Sequence, residues 1–262
     1  MLRPVLAQGE FQHHRRAPCP DLAAVIEHFW YVSWDLRGLP AQRQETLPHP
    51  NVQMVIERGA ARIYGVHAGR FVKQLEGQDF AFGIKFKPGG FYPFYGKPVS
   101  TLEDQSVEIS AFFGTEGAIL VDKVLAASDA DEMISLAEDF LRAHLPPVDG
   151  NVERVSKLLA DIAGQPSMCS VDEVAAHAGL DKRTLQRLFS KYVGIGPKWV
   201  INRYRLHEAI ARVQLGEKIN WSGLAQELGY FDQAHFIRDF RQMIGQTPQE
   251  YDDTIKTKGV IP

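Results

Sequence analysis

The sequence predicts a multidomain fold that mixes α and β structure: a β-rich first part, a helical stretch and an all-α C-terminal part. Up to about residue 112, short apolar runs rich in aromatic and β-branched residues are separated by Gly and Pro, as in antiparallel sheets. From about Thr115 onward, apolar residues recur instead at the three- and four-residue spacing of helices. This change of period divides the chain.

The composition is that of an ordinary globular protein, with 45% hydrophobic and 23% charged residues among 262. That length is sufficient for more than one domain. No apolar run approaches the roughly 20 residues that span a bilayer, and the N-terminus has no apolar stretch of signal-peptide length. Cys19 and Cys169 are far apart and lack the spacing of metal ligands. We therefore expect two reduced thiols and a cytoplasmic protein.

The net charge of -3 is divided unevenly along the chain. Residues 151–262 carry 15 Lys and Arg against 13 Asp and Glu, a net charge of +2, and the rest of the chain carries -5. A positive C-terminal half has the sign that a nucleic-acid-binding domain needs, but the excess is small. Charge alone does not decide the function.

In the first part, strands are predicted in four apolar runs, at 28–34, 52–56, 61–66 and 80–86, with a turn at 87–90. They predict a β barrel or a sandwich. Apolar residues then keep helical spacing over 118–125 and 133–141, and the Pro- and Gly-containing segment 146–150 interrupts the pattern. The predicted division is a β-rich domain at 1–114, a helical connector and dimerisation element at 115–149, an all-α domain at 150–252 and a charged tail at 253–262.

The all-α domain contains an internal repeat. Val174, Ala175 and Gly179 match Leu224, Ala225 and Gly229, which lie 50 residues further on. One residue is then added in the turn, and the offset becomes 51 for the pairs Asp181 and Asp232, Leu185 and Phe236, Arg187 and Arg238, Phe189 and Phe240, Gly194 and Gly245, and Pro197 and Pro248. A chance match with one consistent shift is improbable, so two copies of one supersecondary unit are predicted.

Each copy has the features of a helix-turn-helix unit. In the first copy, Ser170 and Glu173 form a predicted capping box, Gly179 ends the helix, and Asp181 caps a second helix. That second helix presents one apolar face and one polar face, the latter made of Arg183, Gln186, Arg187 and Ser190. In the second copy, Asn220 and Asp232 start the corresponding helices. The second helix there presents Ala234, His235, Arg238, Arg241 and Gln242 outward.

A helix opened by Pro197 and running to about Leu215 connects the two copies. Its roughly 18 residues span about 27 Å. Such a connector could hold two recognition helices near the ~34 Å separation of successive major grooves. A single helix with outward Arg and Gln is more often a solvated surface. Two copies with matched turns, matched arginines and a rigid spacer favour DNA binding instead.

Over about residues 150–252, the chain resembles the AraC/XylS family of transcription regulators. The second copy is similar to the family signature, in which a Gly-aromatic pair leads to Asp-Gln-Ser-His-Phe, an Arg, a Phe-Lys and Gly-x-Thr-Pro. Three departures are visible: Ala234 replaces a small hydroxyl residue, Arg241 replaces the Lys, and Gly223 stands where members carry a better helix former.

The resemblance implies which residues contact DNA. Contacts to base edges are expected from Arg183, Gln186 and Arg187 in the first groove and from Gln233, His235 and Arg238 in the second. Arg suits guanine and Gln suits adenine, each through two hydrogen bonds. Phosphate contacts are expected from Thr184, Lys191, Lys198, Arg203 and Arg241.

The first domain is similar to a poorly characterised N-terminal domain found in some of these regulators. The similarity rests on residues 28–31, on Leu47 and Pro48, and on residues 83–90. By analogy with other members, a cupin-like barrel is expected. A ligand pocket is predicted at Trp30, Trp34, Phe86, Tyr92 and Tyr95, although each of these is individually more often a core residue.

His13, His14, His49 and His67 do not form the His-x-His and Glu pattern of a cupin metal site, so no metal or cofactor is predicted. The expected function is a sequence-specific DNA-binding transcription regulator whose first domain senses a small molecule or mediates oligomerisation. The expected partners are double-stranded DNA, a small-molecule effector, RNA polymerase and a second copy of the chain, with no membrane.

The alternative is an enzyme or DNA-repair domain fused to a DNA-binding module. It would need an activated nucleophile or a metal in the first domain. Cys19 lies between two prolines without an identifiable base, and no Gly-x-Ser-x-Gly or His-Glu-x-x-His motif is present. We therefore predict no enzymatic activity.

Overall fold

The computed structural model describes residues 9–147, 149–165 and 168–258. The first eight residues of the predicted β-rich domain, Val148 in the predicted linker, residues 166–167 and the last four residues of the predicted tail lie outside the described residues. No helix in the described ranges is both long enough and apolar enough to cross a membrane.

The first domain is built from antiparallel strands. They are β1 (Glu10–Arg16), β2 (Ile26–Asp35), β3 (Gln42–Thr46), β4 (Gln53–Glu57), β5 (Ala60–Tyr64), β6 (Phe71–Leu75), β7 (Gln78–Phe86) and β8 (Ser106–Glu108). Six of them form one sheet in the order β1-β2-β7-β4-β5-β8, and β3 pairs with β6 in a second sheet. The four predicted strands coincide with β2, β4, β5 and β7; the other four were not predicted.

Both faces of the large sheet are buried. On one face, Phe29 of β2 stacks on Phe82 of β7. On the other face, Trp34 of β2 packs with Leu75 of β6. Successive side chains of a strand point to opposite faces, so β2 contributes to two separate layers of core. The domain is a sandwich in which the two-stranded sheet covers one face of the large sheet.

Helices cover the opposite face. After α1 (Tyr92–Tyr95) and a 3-10 turn (Val99–Leu102), the chain forms α2 (Ile109–Ala126) and α3 (Ala130–Ala143). Both predicted helices are present, and Gly114, with φ 63° and ψ -145°, breaks α2 next to the predicted domain boundary. Leu120 of α2 and Leu141 of α3 are buried in the same core as the sheet. The predicted connector therefore packs as part of the first domain.

The C-terminal domain is all-α. Its elements are α4 (Gly150–Gly164), α5 (Val171–Ala178), α6 (Lys182–Leu188), a π-helical continuation of α6 (Phe189–Val193), α7 (Pro197–Gln214), α8 (Trp221–Glu227), α9 (Gln233–Ile244) and α10 (Pro248–Lys258). The predicted fold class, a β-rich domain followed by helices and an all-α domain with two helix-turn-helix units, is confirmed.

The repeat is present in the backbone as well as in the sequence. Gly179 ends α5 with φ 63°, and Gly229 follows α8 with φ 72°. This left-handed region strains residues that carry a Cβ atom, which explains why glycine stands at both places. The matched apolar pairs are buried in both copies, among them Leu185 with Phe236 and Phe189 with Phe240. Corresponding residues of the two copies, 50 or 51 apart in the sequence, therefore have the same structural role.

One boundary differs from the prediction. The charged tail expected from residue 253 begins as helix, because α10 continues to Lys258. Thr247 and Glu250 exchange hydrogen bonds as a capping box at its start. Tyr251 and Ile255, one helical turn apart, pack on the core of the second unit. This apolar contact outweighs the charged composition of the segment.

Candidate nucleic-acid interface

The two predicted recognition helices, α6 and α9, begin in the same way. The Asp181 carboxylate accepts a hydrogen bond from the Thr184 backbone N–H at 2.9 Å, and the Asp232 carboxylate accepts one from the His235 backbone N–H at 2.6 Å. Each aspartate satisfies a backbone donor that the first helical turn leaves without a partner. The start of each recognition helix is thereby fixed relative to the helix before it.

Cationic and amide side chains project into solvent from both recognition helices. Five of the six predicted base-contact residues are exposed: Arg183, Gln186 and Arg187 on α6, and Gln233 and Arg238 on α9. The described residues provide no carboxylate within ion-pair distance of Arg183, Arg187 or Arg238. Guanidinium groups left without an anion at the surface are available to phosphates and base edges.

The sixth predicted base-contact residue is more enclosed. The His235 side chain is half-buried, its ring lies edge-on to Tyr230 with centroids 5.3 Å apart, and its Nε2 atom lies 3.6 Å from the Asp239 carboxylate. The contacts with Asp239 and Tyr230 restrict the position of the His235 ring, and any contact with DNA would have to be made from that position.

The predicted phosphate contacts have mixed environments. Lys198 and Arg241 are exposed, and the Thr184 hydroxyl donates to the Asp181 carboxylate at 2.7 Å. The Lys191 ammonium lies 4.8 Å from the ring centre of Tyr92, in the first domain, and 5.3 Å from that of Tyr192. These two cation–π contacts tie Lys191 to the junction between the domains.

The assignment of Arg203 to a phosphate contact is wrong for this conformation. Arg203, on α7, is only 1% exposed. Its Nε donates to the Pro48 carbonyl oxygen of the first domain at 2.6 Å, and its Nη2 lies 3.0 Å from His49 Nδ1. This guanidinium cannot reach a phosphate, because it is enclosed by the first domain and its donors are used by a loop about 155 residues earlier in the sequence.

Two histidines complete this junction. The His49 and His207 rings lie edge-to-face with centroids 5.6 Å apart. Burial, together with the nearby Arg203 charge, lowers the pKa of both imidazoles, that of His207 to about 3. Lys85, itself bonded to Glu27 at 2.9 Å, adds a second cation near the pair. Both rings are therefore neutral at physiological pH.

We expect acid to weaken this junction. The folded protein holds His49 and His207 neutral, whereas the unfolded chain protonates them near pH 6.5, so stability is full above that pH and is lost as the pH falls below it. Each histidine contributes a slope of about 1.4 kcal/mol per pH unit. Urea unfolding between pH 7 and pH 5 measures this slope. The double variant His49→Gln/His207→Gln should show a smaller slope than the unsubstituted protein; equal slopes for the two would contradict the assignment.

Further contacts join the domains on both sides of Arg203. The Trp199 indole N–H donates to the Ala68 carbonyl oxygen at 3.0 Å, and the Ser100 and Ser190 hydroxyls are 2.9 Å apart. Leu47 of the first domain is buried in the core of the second helix-turn-helix unit. The first domain thus contacts both helix-turn-helix units of the C-terminal domain and the helix between them.

The five residues of the predicted ligand pocket do not lie together. Trp30 lines a cavity of about 150 Å³ between the two sheets, and Trp34 lines another cavity of about 320 Å³ beyond the ends of β1, β2 and β7. Phe86 is fully buried on the other face of the large sheet, Tyr92 contacts Tyr192 with ring centres 4.3 Å apart, and the Tyr95 hydroxyl bonds to Thr101. Of the five, Trp30 and Trp34 line these two cavities, and each lines a different one.

The smaller cavity has largely apolar walls and adjoins the junction. Its lining includes Trp30, Val55, Tyr64 and Phe71, together with the loop residues Leu47, Pro48 and His49. The Trp30 indole N–H donates to Gln53 at 3.1 Å, and the buried His67 Nε2 atom has no hydrogen-bond partner among the described residues. The larger cavity is lined mainly by polar residues, and none of its lining among the described residues comes from the C-terminal domain.

The described residues contain no group of three or more His, Cys, Asp and Glu arranged to hold a metal ion. The Cys19 thiol donates to Glu138 at 3.2 Å, and this hydrogen bond raises the pKa of the thiol. A thiol held protonated in this way is a poor nucleophile.

Comparison with known proteins places each domain separately. Residues 174–254 match a family described as a helix-turn-helix domain, and residues 14–108 match a domain of unknown function, DUF6597. The transcriptional activator AarP of Providencia stuartii is 31% identical over 98 residues, which are 37% of this chain and 72% of AarP.

The transcriptional activator RhaS of Pectobacterium atrosepticum is 29% identical over 136 residues, 48% of each chain, so this chain spans about half the length of that relative. Among solved structures, ToxT of Vibrio cholerae has a TM-score of 0.41 at 10% identity, with 94% of this chain and 98% of ToxT covered. The relatives matched in sequence are transcription regulators.

Proposed function

Since this chain belongs to the AraC/XylS family of helix-turn-helix transcription regulators, we propose that it binds DNA sequence-specifically and regulates transcription. In this proposal α6 and α9 enter successive segments of the major groove, and α7, about 27 Å long at 1.5 Å per residue, sets their separation. One copy of the chain is then sufficient to read two groove segments.

The observation that carries the proposal is the pair of capped helices with unpaired arginines. Arg187 and Arg238, which correspond in the repeat, are both exposed and lack a carboxylate partner among the described residues. An exposed arginine without an ion pair, at the same place in both copies, is available to groups outside the protein. Guanine O6 and N7 are the acceptors it fits best.

The test is selection of bound DNA from a random pool, followed by salt titration of the selected site. We expect two short conserved blocks about one helical turn apart and a measurable preference over unrelated DNA. Steep salt dependence without any sequence preference would instead mean phosphate binding alone, and would contradict the proposal.

We further propose that the 150 Å³ cavity between the two sheets holds a small-molecule effector. Its apolar aromatic walls and the unpartnered His67 Nε2 atom favour a small planar ligand with one hydrogen-bonding group. This cavity is lined in part by the loop residues Leu47, Pro48 and His49. The same loop contacts Arg203 of α7 and the core of the second unit. A ligand that fits one position of this loop better than another would shift the equilibrium between two arrangements of the domains.

Filling the cavity tests the effector site. In Val55→Phe, the larger side chain should occupy the space and abolish the thermal stabilisation given by a ligand found in a screen of small aromatic metabolites. That stabilisation is about 2.7 kcal/mol when the ligand concentration is a hundred times its Kd. Val72→Phe, the same substitution at an exposed position of β6, should keep it. Stabilisation that survives Val55→Phe would place the ligand elsewhere.

The remaining expectations belong to the same proposal. The proposed partners of the protein are RNA polymerase and a second copy of the chain. Its proposed location is the cytoplasm, because α6 and α9 can bind chromosomal DNA only there. We propose no catalytic activity, because the hydrogen bond to Glu138 raises the pKa of the Cys19 thiol and so makes it a poor nucleophile. Should the ligand screen find no stabilising compound, oligomerisation would be the better role for the first domain.

A further inference from the structure

One large aromatic side chain on the second helix-turn-helix unit is left in solvent. Phe231 is 93% exposed, and it contacts no aromatic ring within the described ranges. The neighbouring aromatics of the same unit, Tyr230 and Phe236, are buried and pack against each other with ring centres 5.3 Å apart. The core is therefore complete without Phe231.

Phe231 is also the one residue that breaks the symmetry of the repeat. Leu180 and Tyr230 correspond at an offset of 50, whereas Asp181 and Asp232 correspond at 51. The added residue is Phe231, directly before the Asp232 cap of α9. The first residues of a recognition helix are the ones that meet base edges in the major groove.

The same end of α9 carries a second apolar difference. Ala234, exposed three residues further on, corresponds to the cationic Arg183 of the first copy and stands where the family signature has a small hydroxyl residue. The start of α6 thus presents a cation at this position, while the start of α9 presents an apolar methyl group between Gln233 and His235. The apolar group that the major groove offers is the C5-methyl of thymine.

We propose that Phe231 and Ala234 contact thymine C5-methyl groups in the groove segment that α9 reads, and so determine specificity there. This inference rests on the proposed DNA-binding function. It assigns to the second half of the binding site a chemistry that the first half lacks, because α6 has no counterpart of Phe231.

Deoxyuridine tests this contact directly, because it differs from thymidine only by the missing methyl group. The half-site read by α9 is first identified as the one whose base preference changes in Arg238→Ala. Each thymine of that half-site is then replaced by deoxyuridine, and affinity is measured by fluorescence anisotropy. The full-length protein should lose about fourfold in affinity for each methyl that it buries.

Phe231→Ala should bind the thymine duplex with a similar loss and should no longer distinguish thymine from deoxyuridine at the position concerned. Leu215→Ala removes another exposed apolar side chain, 77% exposed at the end of α7, and should keep the distinction. Deoxyuridine replacements in the half-site read by α6 should change the affinity of the unsubstituted protein and of Phe231→Ala equally.

Two results would overturn the inference while leaving DNA binding intact: an unsubstituted protein that does not distinguish thymine from deoxyuridine anywhere in this half-site, or a Phe231→Ala variant that loses the distinction at no position. A protein that selects no DNA sequence at all would overturn the proposed function, and this inference with it.

Discussion

Replacing Arg187 and Arg238 together by alanine should greatly reduce the specificity of DNA binding while leaving the fold intact. Each arginine is expected to supply about 1–3 kcal/mol of discrimination through a bidentate contact to guanine. Because the two residues lie on different helices, their effects should add, giving a loss of about 30-fold to 10⁴-fold. Both side chains are exposed, so unfolding stability should change by less than about 0.5 kcal/mol each.

A matched control separates base reading from charge. Arg37→Ala/Arg58→Ala removes two exposed positive charges from the first domain, with the same change in net charge. It should leave the selected sequence unchanged. Anisotropy titrations on the selected site and on unrelated DNA measure the specificity ratio. A similar loss of that ratio in both double variants would mean that Arg187 and Arg238 act only through long-range charge.

The largest effect on stability is expected at Phe236. This side chain is 0% exposed and packs against Trp221, Tyr230 and Phe240, with ring centres 6.2, 5.3 and 5.7 Å away. Phe236→Ala should lower the free energy of unfolding by about 3–5 kcal/mol, since it removes apolar contacts and leaves a cavity. Urea denaturation measures the change, and hydrogen exchange should show it concentrated in α8, α9 and α10.

Phe231→Ala is the control for this prediction, since it makes the same substitution five residues earlier at an exposed site. Its stability should stay within about 0.5 kcal/mol of the original protein. A small loss in Phe236→Ala, comparable to that in Phe231→Ala, would mean that the second unit repacks around the deletion and that its core is less specific than the ring contacts indicate.

The C-terminal domain was predictable because its signals are local and occur twice. A cap, a left-handed glycine and an apolar stripe each fall within one helix-turn-helix unit, and the offset of 50 or 51 residues checks every assignment against a second copy. Asp181 and Asp232 were assigned as caps in this way, and both accept the expected hydrogen bond. The exposure of Arg187 and Arg238 followed from the same helical period.

The first domain gave weaker signals because part of its sheet is polar. β3 has the sequence Gln-Arg-Gln-Glu-Thr, which lacks the apolar alternation that predicts a strand. Its pairing with β6 depends on residues 25 to 33 positions away. The predicted ligand pocket mixed residues of both faces of the large sheet, because both faces are aromatic and period alone does not indicate which one borders a cavity.

Arg203 marks a different limit. On α7 it has the sequence context of a phosphate-binding arginine, and its burial depends on Pro48 and His49 in another domain. No periodicity within α7 distinguishes it from an exposed cation. Contacts between the domains could therefore not be predicted from the sequence, although they hold the loop that lines the smaller cavity against the C-terminal domain.

The unequal starts of α6 and α9 have a consequence for promoter architecture. Dimeric regulators with identical reading heads need palindromes, and a palindrome can be approached from either direction. If Arg183 reads one block of the operator and Phe231 with Ala234 the other, as proposed, then the two blocks differ and the operator has a direction. Inverting it in place would turn the β-sandwich from the upstream to the downstream side of the bound protein, and transcription should respond to that orientation even though affinity is unchanged.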